Sequence, residues 1–82
     1  MSPYIDREAR EHINTGGSCE TAGDLTFALT VVIETYRAEN PNRFQTFAEI
    51  LGALRAAELE FYRRVVAPYE DKKLAENGDV YR

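Results

Sequence analysis

An all-α fold is the class this sequence predicts, and three observations predict it. Apolar residues recur at spacings of three and four through two long stretches, residues 25–36 and 47–65, which is the period of a helix with a buried stripe. Good N-cap residues, Asp6, Thr21 and Thr46, stand ahead of the periodic segments. The glycines and prolines that break helices fall between those segments or beyond them, with Gly52 the exception. A chain of 82 residues with 44% hydrophobic side chains is read as one helical domain, residues 1–82. It is short enough that its own core is modest, so the stability of a chain this size benefits from a partner subunit.

In chain order, Ser2-Pro3-Tyr4-Ile5 reads as an extended lead-in. Asp6 then caps a short helix to about Asn14, with Ala9 and Ile13 as a weak stripe. Thr15-Gly16-Gly17-Ser18 is a linker; it lacks the Gly-Lys-Ser/Thr ending of a phosphate loop. Thr21 with Asp24 imitates a capping box and opens a second helix, which runs to about Glu39 and stops before Pro41. Leu25, Leu29, Val32 and Tyr36 form one face of it, Phe27, Val31 and Ala38 a second, which predicts burial on two sides. The β-branched run Val31-Val32-Ile33 does not outweigh the helical period around it.

A third helix is expected to start between Arg43 and Thr46, with Thr46 and Glu49 as a second box. Its stripe is Phe47, Ile50, Leu51, Leu54, Ala57, Phe61 and Val65. From Thr46 to Ala67 it spans about 33 Å at ~1.5 Å per residue, more than a globule of this size accommodates. Pro68 has no amide hydrogen for the Arg64 carbonyl and its ring presses on that carbonyl, so a kink or break is expected there. Helix then resumes over residues 69–77, with Gly78 as its stop. Leu29, Val32, Leu51, Leu54 and Phe61 are the expected core.

Charge excludes some roles. The formal net charge is −4, and residues 1–41 carry three basic side chains against seven acidic, while residues 42–82 carry seven of each. A nucleic-acid polymer binder shows a basic excess, so that partner is not expected. Cys19 is the only cysteine; it permits no intrachain disulfide, which suits a reducing compartment and a cytoplasmic location. Cys19 and His12 stand alone as soft ligands, so no metal site and no cofactor are expected. No apolar run approaches the ~20 residues of a membrane span.

The chemistry concentrates in residues 58–81. Tyr62, Arg63, Arg64, Tyr69, Lys72 and Lys73 gather around Pro68. Tyr62 and Tyr69 are seven apart, hence on one side of a nearly straight helix. Guanidinium groups hold phosphates through paired bonds, ammonium groups as point charges, and tyrosine rings stack on bases. These six residues are the candidate ligand-binding set, in a pocket completed between subunits. The bland reading is an amphipathic helix end with solvated charges, where Glu60 and Arg64 make an ordinary i,i+4 pair. Glu58 lies inside the apolar stripe between Leu54 and Phe61; no second catalytic group stands at a defined spacing from it, and the expectation is a place at the stripe edge or a pairing with an arginine across an interface. No catalytic residue is assigned.

Several stretches are similar to a family of small uncharacterised helical proteins from phage and prokaryotic genomes: Pro3-Tyr4-Ile5, residues 23–30 (GDLTFALT), residues 59–73 (LEFYRRVVAPYEDKK) and residues 76–81 (ENGDVY). The resemblance implies a genomic setting and an accessory role, with no established activity. It also implies a helix continuing where Gly16-Gly17 stands, and there this sequence departs from it.

The expectation is therefore three main helices, the last long and kinked near Pro68, assembled as a homo-oligomeric bundle, a dimer or higher. The expected function is non-enzymatic: an accessory protein that sequesters a small anionic, nucleotide-like ligand between subunits. The competing reading is an interaction protein that docks a partner through its long amphipathic helix.

Overall fold

A computed structural model describes residues 5–81, and every described regular element is helical. The order is α1 (Arg7–Asn14), α2 (Ala22–Glu39), α3 (Phe44–Phe61), a π turn (Tyr62–Val66) and α4 (Ala67–Asn77). The lead-in expected at Ser2-Pro3-Tyr4 lies outside the described residues. The chain divides into two compact units, one ending at Thr46 and the other beginning at Phe47.

In the first unit α1 packs on α2. Asp6 caps α1 by accepting from the Ala9 amide at 2.8 Å. The helix ends in a Schellman arrangement: the Gly17 amide donates to the His12 carbonyl at 2.8 Å and the Gly16 amide to the Ile13 carbonyl at 3.0 Å. Gly16 has φ +93°, the left-handed region that glycine enters at little cost. So α1 stops at Asn14, and the continuing helix implied by the family resemblance does not form.

Thr21 and Asp24 complete a true capping box, although Asp24 is shorter than the usual glutamate. The Asp24 amide donates to Thr21 Oγ1 at 3.0 Å, and Asp24 Oδ2 accepts from the Thr21 and Glu20 amides at 3.3 and 2.9 Å. The Glu20 amide is the main reason the Asp24 carboxyl is held below the usual range. Burial opposes that shift, and the Thr21 hydroxyl and amide reinforce it. Along α2, Thr26, Thr30 and Thr35 each donate a hydroxyl to the carbonyl four residues back, so these β-branched residues stay within the helical pattern.

α3 begins at Phe44. Thr46 therefore sits inside the first turn, buried, and the box expected between Thr46 and Glu49 is not its cap.

In the second unit helix runs from Phe47 to Asn77 with one irregularity. Pro68 does not end it: Phe61, Val66 and Ala67 all keep right-handed helical angles. The wider π turn comes just ahead of the proline, with the Ala67 amide donating to the Tyr62 carbonyl five residues back. An α register would drive the Pro68 ring against the Arg64 carbonyl; inserting one residue into the turn displaces that carbonyl. In place of the expected kink or break the chain makes a π turn within continuous helix. Gly78 stops α4 with φ +85°, its amide donating to the Leu74 carbonyl at 2.8 Å.

The expected core is not buried in the single chain. Among the described residues Ile5 is the one buried hydrophobic side chain. Leu29, Val32, Leu51 and Phe61 are all exposed, and Leu54, the least so, is 37% exposed. The helical period places these residues on one face of a helix, but in the single chain nothing among the described residues buries that face.

Candidate functional site

The π turn decides where the candidate side chains point. An α-helix turns about 100° per residue, so residues seven apart lie within about 20° of one another. One inserted residue moves that alignment to partners eight apart. Tyr62 and Glu70 are eight apart and meet: the Tyr62 hydroxyl donates to Glu70 Oε1. Phe61 and Tyr69 are also eight apart and share a face by the same reckoning. Tyr62 and Tyr69, seven apart, are turned away from each other by about 120°. The paired-tyrosine arrangement expected from their spacing is therefore absent within one chain.

The bond to Glu70 is the first cause that raises the Tyr62 phenol above its usual range. The Glu70 charge, burial and the Asp71 charge act in the same direction. A carboxylate acceptor stabilises the protonated phenol and opposes a second negative charge.

Most of the expected cations have acidic partners on their own helix. Glu60 accepts from both arginines, Arg64 Nε at 2.6 Å and Arg63 Nη2 at 3.2 Å. Lys73 Nζ lies 3.4 Å from Glu76 and 5.7 Å from the centre of the Tyr69 ring. Of the four cations, Lys72 is the one with no ion pair among the described residues. These pairs are well exposed, where each contributes about 0–1 kcal/mol. Glu58 pairs with Arg55 at 2.8 Å, an arginine three residues back on its own helix and not one across an interface.

The structure thus does not gather the six candidates into one cationic pocket. Tyr69 and Lys73 line an open concavity between the last turns of α4 and the tail, with Glu70, Leu74, Val80 and Tyr81. Glu60 is the partner expected for Arg64, while Glu70 and Glu76 are acidic partners outside the candidate set. Glu60 and Glu76 were findable from their three- and four-residue spacing to a base; Glu70 was not, because its contact depends on the π turn. Among the described residues no group of three or more histidine, cysteine, aspartate or glutamate side chains could hold a metal ion. No described helix is long and apolar enough to cross a membrane.

What the second unit presents most continuously is apolar. Phe47, Leu51, Leu54, Phe61, Val65 and Tyr69 form a row along it, and all six are exposed, Phe61 and Tyr69 by 60% each.

Residues 1–80 match the model of a family described as a domain of unknown function (DUF6899). A stretch of 58 residues is 31% identical to part of the DNA-directed RNA polymerase subunit beta' of Kineococcus radiotolerans. That match covers 71% of this chain and 4% of the polymerase subunit. No solved structure matches the chain.

Proposed function

We propose, from the premise that the chain belongs to the family described as a domain of unknown function (DUF6899), that it is a non-enzymatic interaction protein. It works as a homo-oligomer whose copies associate through the long helix. The observation that carries this reading is the exposed apolar row from Phe47 to Tyr69. A unit made of one helical run and a short tail has nothing of its own to cover such a row, and a lone helix gains most of its stability from packing an apolar face. The resemblance to small proteins of phage and prokaryotic genomes supports an accessory role in a reducing cytoplasm, with Cys19 as an exposed free thiol.

A second reading keeps the anionic, nucleotide-like ligand. It is favoured by Lys72, which has no acidic partner among the described residues, and by the Tyr69–Lys73 pair at the rim of an open concavity. Here a second subunit closes the concavity, and the arginines leave Glu60 to meet the ligand. The cost of breaking those exposed pairs is small, but the gain must come from an enclosed site, since the net charge of −4 does not steer anions toward the protein.

A native mass spectrum of freshly purified protein tests both. Species at multiples of 9.3 kDa are expected. A small molecule retained on those species puts the ligand reading first. A folded monomer at high micromolar concentration overturns the oligomer.

A further inference from the structure

We infer that the apolar row of the long helix is the self-association face, and that a second copy lies along it antiparallel, with the two-fold axis near Glu58. This rests on the oligomeric reading above and adds its face, direction and register.

The row is one surface because of the π turn. Phe47, Leu51 and Leu54 follow at steps of four and three; Glu58, Phe61 and Val65 continue at four, three and four. This is the seam of a helix that packs against another helix. In an unbroken α-helix Tyr69 would drift off the seam, but the inserted residue returns it to the face of Phe61.

Length selects the occupant. α3, the π turn and α4 contain 18, 5 and 11 residues, which is about 50 Å of helix at ~1.5 Å per residue. α2 has 18 residues and α1 has 8, or about 27 Å and 12 Å. Neither covers the row from end to end, whereas the same helix of a second copy does. The exposed parts of the six row side chains amount to on the order of 600 Å² per copy, most of the ~800 Å² per partner in a standard stable interface. Flanking side chains such as the stem of Arg55 supply the remainder.

Charge selects the direction. Residues 44–61 carry three acidic side chains and one basic, whereas residues 62–77 carry four basic and three acidic. Antiparallel packing sets the acidic half of each copy against the basic half of the other; parallel packing sets like against like. The middle of the row then fixes the register. Phe47 of one copy meets Tyr69 of the other, Leu51 meets Val65, and Leu54 meets Phe61. Glu58 meets its own equivalent, each arriving with Arg55 as its counter-charge at 2.8 Å.

Single cysteines in the full chain, in a Cys19→Ser background, test this. A disulfide needs Cα atoms roughly 4.4–6.8 Å apart, so mild oxidation reads the register directly. Oxidation is run at concentrations where sedimentation equilibrium shows the assembled species. Glu58→Cys is expected to convert to a covalent dimer by itself. Leu51→Cys and Val65→Cys are each expected to remain chiefly single chains, and to form the covalent dimer when mixed. If Leu51→Cys links to itself as readily as Glu58→Cys does, the copies are parallel and the inference is overturned. If none of the three links while the protein still sediments as an oligomer, another face joins the copies; the inference then fails and the oligomeric reading stands. Sedimentation of the folded parent as a 9.3 kDa monomer at high micromolar concentration overturns both.

Discussion

Gly16 and Gly17 are neighbours with different constraints. Gly16 holds φ +93° with open space around it, so a side chain there meets backbone strain and no neighbour. Gly17 is the reverse: a Cβ would fall 2.3 Å from His12 Nε2, but that ring belongs to an exposed side chain that can swing away. Gly16→Ala is therefore expected to cost about 1–2 kcal/mol, the penalty of the left-handed region, and Gly17→Ala less. Urea melts of the two variants check the order. Tyr62 offers a second test at this scale. Because its folded pKa is raised, its bond to Glu70 contributes fully below the ordinary tyrosine value of about 10 and is lost as pH rises through the raised value. Absorbance titration of the phenolate should show Tyr62 ionising above the ordinary tyrosine range, and Glu70→Gln should bring it back toward that range.

At the scale of elements, what was legible in the sequence is what neighbouring residues decide. Asp6 capping α1, the Thr21–Asp24 box, the end of α2 at Glu39 and the Gly78 stop all depend on partners within a few residues, and all form as read. The Glu60–Arg64 pair is local in the same way. The π turn was not legible: Pro68 says that an α register fails, but not whether the chain breaks, bends or widens. That one unread detail separated Tyr62 from Tyr69 and so dismantled the expected aromatic pair. Pro68→Ala restores the missing amide hydrogen and removes the ring. The π turn is expected to relax to α-helix, which rotates α4 by about 100° relative to α3 and parts Tyr62 from Glu70. The measurable sign is a Tyr62 phenol that titrates in the ordinary range although Glu70 is still present.

For the whole molecule, the expected core failed as a description of one chain because periodicity identifies an apolar face without naming its cover. If the cover is a second copy, folding and association are one equilibrium, and the melting temperature rises with protein concentration. Leu54→Ala then sharpens the point. At a site 37% exposed in the single chain, truncation costs far less than the ~2–5 kcal/mol of an enclosed leucine. The full cost is expected under assembling conditions, seen as a loss of both stability and dimer. Denaturation curves at several protein concentrations separate the two cases: a small, concentration-independent cost would mean that nothing encloses Leu54.

The π turn has a genetic consequence. It is one residue too many, tolerated because Pro68 forbids the tighter winding. Deleting Val66 alone removes the surplus residue but drives the proline ring back into the helix. Pro68→Ala alone removes the ring but leaves the surplus residue to turn Phe61 and Tyr69 out of phase. Together the two changes leave an uninterrupted α-helix in which the same two rings are seven residues apart and again in line. Each lesion is expected to impair assembly, and each to rescue the other, as a frameshift and its suppressor do in a reading frame.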